Sequence, residues 1–231
     1  MRLVLIHSPL VGPSTWKLVG EELQKRGMNV LLPALQDDEG STSPYWQQHA
    51  ESVVAALSSI PVDQPVVLVG HSGAGPLLPA VADAMRQPVA AYLFVDAGIP
   101  SDGANRLDML AEELPQIVTD VQTALEAGQR IPTWTDDDLM GILPDRERRQ
   151  WVLSELHPQR LAFYTEPIPV FEGWPDAPCG YLQFSPAYDY SMAQARDEGF
   201  YTQELKGGHF HMLVEPAAVA DVLIDMLRQM D

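Results

Sequence analysis

Basic residues are scarce in this chain. Lysine and arginine number 14 among 231 residues, against 32 aspartates and glutamates, for a formal net charge of −18. So acidic a surface repels phosphate backbones and anionic headgroups, which sets nucleic-acid and membrane-surface partners aside. Solubility is the ordinary consequence of such a charge. Cysteine is scarcer still: Cys179 is the only one, so no disulfide can form within the chain. Its setting, APCGYLQF, is the start of an apolar strand, where a thiol is buried and inert. Long hydrophobic runs are also missing. The apolar run in MRLVLIHSPLVGPSTW is too short for a signal-peptide core, and no run approaches a membrane span. The expectation is a cytoplasmic, soluble protein acting on a small molecule. The composition leaves a homodimer open.

What the chain does have is core-forming material and a regular alternation. Hydrophobic residues make up 46% and aromatics 8%, ordinary for a globular domain. RLVLIH, MNVLLP, PVVLVG, VAAYLFVDAG, CGYLQFS and FYTQEL read as strands separated by amphipathic stretches. STWKLVGEELQKRG predicts a helix with Ser14 as N-cap and Gly27 as its stop. SPYWQQHAESVVAALSSI predicts another, capped by Ser43 with Pro44 in its first turn. Further helices are expected from Gly73 to Arg86, from Pro186 to Glu198, and over EPAAVADVLIDMLRQM. The fold class is therefore α/β, a mostly parallel sheet flanked by helices. Between residues 101 and 178 strands give way to prolines and helix-like segments. This predicts a helical cap inserted between two parts of the core, 1–100 and 179–231. Such a cap would lie over the carboxyl ends of the strands, where open α/β sheets bind ligands.

The stretch VVLVGHSGAGPLLPA, residues 66–80, runs a buried strand into a serine and then into a helix. Strand, sharp turn and helix with a serine at the turn make a nucleophile elbow. The strained turn needs small neighbours, and Gly70, Gly73, Ala74 and Gly75 surround Ser72. Ala74 replaces the last glycine of the G-x-S-x-G pattern. The plainer alternative makes Ser72 a helix N-cap. A general base for the serine would come from KGGHFHMLVEP, residues 206–216, where His209 follows two glycines. His211 completes an H-x-H pair, but no third ligand has metal-site spacing, so no metal is expected.

These motifs resemble the α/β-hydrolase superfamily. The resemblance rests on LIHSPLVGPSTW, GHSGAG, YLFVDAGIP and GGHFHMLVEP in that order, and it covers most of the chain. HPQRLAFYTEPIPVF, with the chain beginning directly on its first strand, makes it similar to the branch of plant methyl esterases and hydroxynitrile lyases. The resemblance implies an α/β-hydrolase fold with a helical cap, no cofactor, Ser72 as nucleophile, His209 as base and the Gly73 N–H as an oxyanion donor. The family's other donor would be the backbone N–H of Pro9, which has none. Ser8 Oγ or the Leu10 N–H could replace it. If neither does, the loss is about 10²–10³ in rate. The superfamily places the acid after one of two strands. Asp96, at the tip of YLFVDAGIP, is favoured over Asp189, which falls inside a helix. The strand end of Asp96 is also similar to that of haloalkane dehalogenases, and its alternative role is a turn carboxylate. The implied activity is serine hydrolysis of an ester or lactone of a small apolar molecule. A lyase or cofactor-free cyclase, or a ligand-binding protein with little turnover, would use the same scaffold.

The remaining candidates have humbler expectations. His7 would brace the oxyanion loop and His71 would line the pocket, while His49 and His157 read as surface residues. Trp134, Trp151, Phe163 and Tyr164 are candidate pocket lining or packing of the insertion. TDDDL, residues 135–139, reads as a helix N-terminus gathering acidic side chains rather than as metal ligands.

Overall fold

Six short strands carry the structure, a computed structural model that describes residues 2–230. They are β1 (Arg2–Ile6), β2 (Asn29–Leu31), β3 (Val66–His71), β4 (Val89–Val95), β5 (Cys179–Gln183) and β6 (Tyr201–Glu204). All pair in parallel, in the order β2-β1-β3-β4-β5-β6. Its inner strands are buried on both faces and are nearly continuous in apolar residues, unlike the edge strands β2 and β6. Leu3, Leu5, Val67, Val69 and Leu93 face one side, under α1 (Ser14–Lys25) and α11 (Pro216–Met230). Val4, Ile6, Leu68, Tyr92 and Phe94 face the other, under α2 (Tyr45–Leu57) and α3 (Leu78–Ala84). The chain leaves β1 toward β2 on one side and toward β3 on the other. That reversal opens a crevice at the carboxyl ends of β1 and β3, the topological switch point where such sheets bind ligands. Ser72 stands at that end of β3.

Helices α4 (Arg106–Glu113), α5 (Pro115–Glu126), α6 (Asp136–Met140), α7 (Arg146–Ser154) and α8 (Leu161–Thr165) lie between β4 and β5. Among the described residues there, the only strand-like pairing is an isolated bridge from Ile131 to Gln159. Thr135 caps α6 through a capping box with Asp138, so TDDDL is a helix start. Helices α9 (Asp189–Asp197) and α10 (His211–Val214) complete the set. No helix among the described residues is long and apolar enough to cross a membrane.

Two of the expected caps belong to other residues. Ser14 is the first residue of α1 rather than its N-cap, and its N–H donates to Glu155 Oε2 at 3.0 Å. Ser43 does not cap α2 either. Pro44 is the N-cap residue, and the first two amides, Tyr45 and Trp46, donate to the Glu166 carboxylate at 2.7 and 2.9 Å. Glu166 also accepts from Arg106 Nη1 at 3.0 Å, and the Arg106 guanidinium lies over the Phe163 ring. Carboxylates from the inserted helices thus satisfy amides at helix starts in the sheet domain. His49, expected at the surface, is buried at 1% exposure and reaches Asp37 Oδ2 at 3.0 Å. Asp37 accepts as well from Gln159 and meets the exposed His157 at 3.2 Å, another tie between insertion and core.

Removing Glu166 would strand the buried Arg106 charge and uncap α2. Glu166→Ala is expected to lower unfolding free energy by about 3 kcal/mol in urea titration. Glu166→Gln, which keeps an acceptor, should lose less. Equal stability of the alanine variant and the parent would refute this role.

Candidate active site

The Ser72 backbone holds φ +56°, in the left-handed region that non-glycine residues rarely enter. Such a conformation costs about 1–3 kcal/mol and persists only where its surroundings enforce it. Here β3 ends in extended backbone at His71, and a 3₁₀ turn over Ser72–Leu77, containing Pro76, precedes α3. The expected helix from Gly73 therefore begins as a tighter turn. The neighbours explain the small residues. A Cβ on Gly70 would come 3.2 Å from the Ala74 carbonyl, and one on Gly75 would come 2.3 Å from the Gly98 oxygen. The strictest requirement thus falls on Gly75, where the chain leaving β4 passes close by, and Ala74 is fully buried beside it. Gly75→Ala is expected to destabilise by about 1–3 kcal/mol, and Ala74→Val by a similar amount, in thermal or chemical melts. Parental melting with full solubility in both would contradict so tight a turn.

Among the described residues Asp96 is the other non-glycine residue at positive φ, +45°, directly after β4. Its side chain is fully buried, yet every lone pair is addressed. Oδ1 accepts from the Phe184 and Ser185 amides at 2.8 and 2.9 Å, and Oδ2 accepts from Ser185 Oγ at 2.7 Å. His209 Nδ1 donates to Oδ2 at 2.8 Å. Burial pushes this carboxyl up, but the His209 bond and charge and the Ser185 donors outweigh it. It therefore sits below its ordinary value and is ionised at neutral pH. A carboxylate at Nδ1 fixes the tautomer and leaves His209 Nε2 as a base. The structure thus brings Asp96 and His209 together. Asp189 is elsewhere, at the start of α9, accepting from Gln183 Nε2 at 2.6 Å.

The Ser72 hydroxyl bonds to the Tyr188 hydroxyl at 3.2 Å, and the Tyr188 ring stacks on His209 with centroids 5.3 Å apart. Burial, chiefly, raises the Tyr188 phenol above its ordinary value, so it stays an O–H donor. Ser72, Gly73, Leu10 and Tyr188 border a cavity of about 150 Å³, whose wall also includes Met109, Leu110, Leu114 and Glu113. Ser8 is buried next to the elbow, and a Cβ on Gly73 would come 3.2 Å from its Oγ. The Leu10 N–H points to Ser8 Oγ at 3.4 Å. His7 holds the loop, through Nδ1 to the Ser8 carbonyl and Nε2 accepting from the Leu35 amide.

His71 does not line this cavity. It is fully buried, its Nε2 donates to the His209 carbonyl at 2.9 Å, and burial keeps its imidazole neutral. Of the candidate aromatics only Tyr164 reaches the cavity wall. Trp134 packs on Phe210, Trp151 lies under Lys17, and Phe163 fills a cluster with Tyr45. Tyr188 and Glu113 went unnoticed in the sequence. Tyr188 hides in SPAYDY, which reads as an exposed helix start, and Glu113 ends a helix like many solvated glutamates. Cys179 is buried and its thiol is pushed up to about 12 by burial, far from a nucleophile.

The sequence profile of the alpha/beta hydrolase family matches residues 3–222. The chain belongs to this family. A carbendazim hydrolyzing esterase from Nocardioides sp. (strain SG-4G) is 25% identical over 95% of this alpha/beta hydrolase and 97% of that enzyme. Methylesterase 8 of Arabidopsis thaliana is 29% identical, over 50% of this chain and 44% of that protein. Among solved structures, an extracellular alpha/beta-hydrolase from a Paenibacillus species superposes with a TM-score of 0.79 at 20% identity, covering 98% of each chain. Polyneuridine aldehyde esterase gives 0.75 at 17% identity, covering 97% of this chain and 98% of that one. At these identities the structural likeness speaks for the fold.

Proposed function

We propose that this alpha/beta hydrolase is a serine hydrolase that cleaves an ester or lactone of a small, mostly apolar molecule. One observation carries the reading: His209 Nδ1 lies 2.8 Å from the buried Asp96 carboxylate, and its ring stacks on Tyr188, whose hydroxyl bonds a serine held at positive φ at the edge of a cavity. Ser72 Oγ attacks the carbonyl carbon as His209 Nε2 takes its proton. The oxyanion meets the Gly73 N–H. Pro9 offers no N–H, and the second donor is the Ser8 hydroxyl, whose oxygen accepts from Leu10 and whose hydrogen remains available. His209 then returns the proton to the leaving oxygen, giving an alcohol and an acyl-Ser72 ester. Water, deprotonated by His209, resolves that ester to the acid. Tyr188 holds Ser72 Oγ in the resting state. The names of the similar carbendazim hydrolyzing esterase and methylesterases support ester cleavage.

Pro9 favours a second reading, in which Ser72 and His209 serve acid–base chemistry of a lyase or cofactor-free cyclase without an acyl intermediate. A fluorophosphonate probe with a p-nitrophenyl ester panel separates the two. Hydrolysis predicts labelling at Ser72, lost in His209→Ala, and turnover reduced by about 10³-fold or more in Ser72→Ala. Undiminished ester turnover in Ser72→Ala would falsify the hydrolase reading.

Asp96→Asn would set an amide N–H against donors and favour the wrong imidazole tautomer. Its kcat should fall by roughly 10⁴, whereas Asp189→Asn should stay near the parent. Steady-state kinetics showing the reverse would move the acid to Asp189.

A further inference from the structure

The cavity beside Ser72 is bordered by a carboxyl that no other group among the described residues fully answers. Glu113, the last residue of α4, borders it together with Met109, Leu110, Leu114 and Pro76. Glu113 Oε1 accepts a hydrogen bond from the Ser191 hydroxyl of α9. Glu113 Oε2 is buried, and among the described residues no side-chain or backbone group bonds it. A buried acceptor left this way is costly, more so when charged. No lysine or arginine pairs with Glu113 among the described residues. The cation nearest in sequence on the same helix, Arg106, lies about two turns away and is committed to Glu166 at 3.0 Å.

The charged groups that act on Glu113 are acidic, and the cation bordering the same cavity, Arg106, is paired through Nη1 with Glu166. Asp96 and Glu112 add negative potential, and the phenols of Tyr181, Tyr188 and Tyr190 carry no charge to offset it. Burial first, then these neighbours, push the Glu113 carboxyl up to about 7, against the pull of the Ser191 bonds. A cation arriving at Oε2 would supply both the missing hydrogen bond and the missing charge. A neutral hydroxyl would supply only the first. The chain's charge of −18 draws cations toward the crevice as well.

We propose that Glu113 is the specificity residue for substrates carrying a basic nitrogen, whose N–H⁺ meets Oε2 while an apolar spacer lies along Met109 and Leu110 and the ester carbonyl reaches Ser72. This rests on the serine-hydrolase reading for the ester and on the cavity alone for the nitrogen. Glu113 is ionised above about 7, so recognition of a permanently protonated amine strengthens as pH rises from 6 to 8.

Calorimetry with n-butylammonium and n-butanol on the intact protein tests the nitrogen site without turnover. At pH 8 the ammonium should bind about tenfold or more tightly than the alcohol, and the difference should shrink at pH 5.5. Glu113→Gln keeps the acceptor for Ser191 and should abolish the preference at both pH values. Ammonium binding no tighter than the alcohol in the parent, or a preference retained in Glu113→Gln, overturns the proposal. The parent's comparison stands even if the variant fails to fold. A preference seen in a protein that hydrolyses no ester rejects the hydrolase reading while keeping the nitrogen site.

Discussion

Asp96 carries a negative charge at a place with no access to water, on a backbone held in the left-handed region. An isolated carboxylate there would be untenable. It persists because four donors converge on it: two amides and a hydroxyl from the chain leaving β5, and the imidazole of His209 from the loop after β6. Satisfying this one charge joins the exits of three parallel strands. It fixes where the β5 loop turns, and therefore where Tyr188 lies. It fixes the imidazole tautomer as well. One carboxylate thus meets both the turn amides and the His209 imidazole.

The crevice has a second set of constraints on its upper side. Helices of the 101–178 stretch send carboxylates down to the helix starts of the sheet domain, Glu155 to α1 and Glu166 to α2. Each replaces a local serine cap. Glu166 gains from meeting both a helix N-terminus and the Arg106 guanidinium, so one carboxylate answers three donors. Anchoring of this kind holds α4 over the strand ends, and α4 contributes both the apolar wall and Glu113.

Much was legible in the sequence because the features are local. Short apolar runs between amphipathic stretches mark strands, and the six expected ones all pair in the sheet. Ser72 is visible because a left-handed turn between strand and helix tolerates only small neighbours, and Gly70, Ala74 and Gly75 are a contiguous record of that need. Asp96 stands out because a carboxylate at the tip of a buried strand demands partners, even though the sequence does not say which. Pro9 announces a missing N–H without any structure. The misreadings have one origin. Flanking residues place His49 at the surface and His71 in the pocket, yet both are buried beside Asp37, Phe163 and His209, brought close only by folding.

By itself the sequence determined the sheet, the elbow, the late histidine loop and the acidic surface, since each follows from residue type and spacing along a few neighbouring positions. Only the tertiary structure decided which partners complete them. Glu166 caps a helix that starts 121 residues earlier, Tyr188 meets a serine 116 residues away, and Glu113 pairs with Ser191 across 78 residues. Such contacts leave no periodic trace. They arise where parallel strands end together at one edge of a sheet, so that loops distant in the chain must share one small, water-poor space.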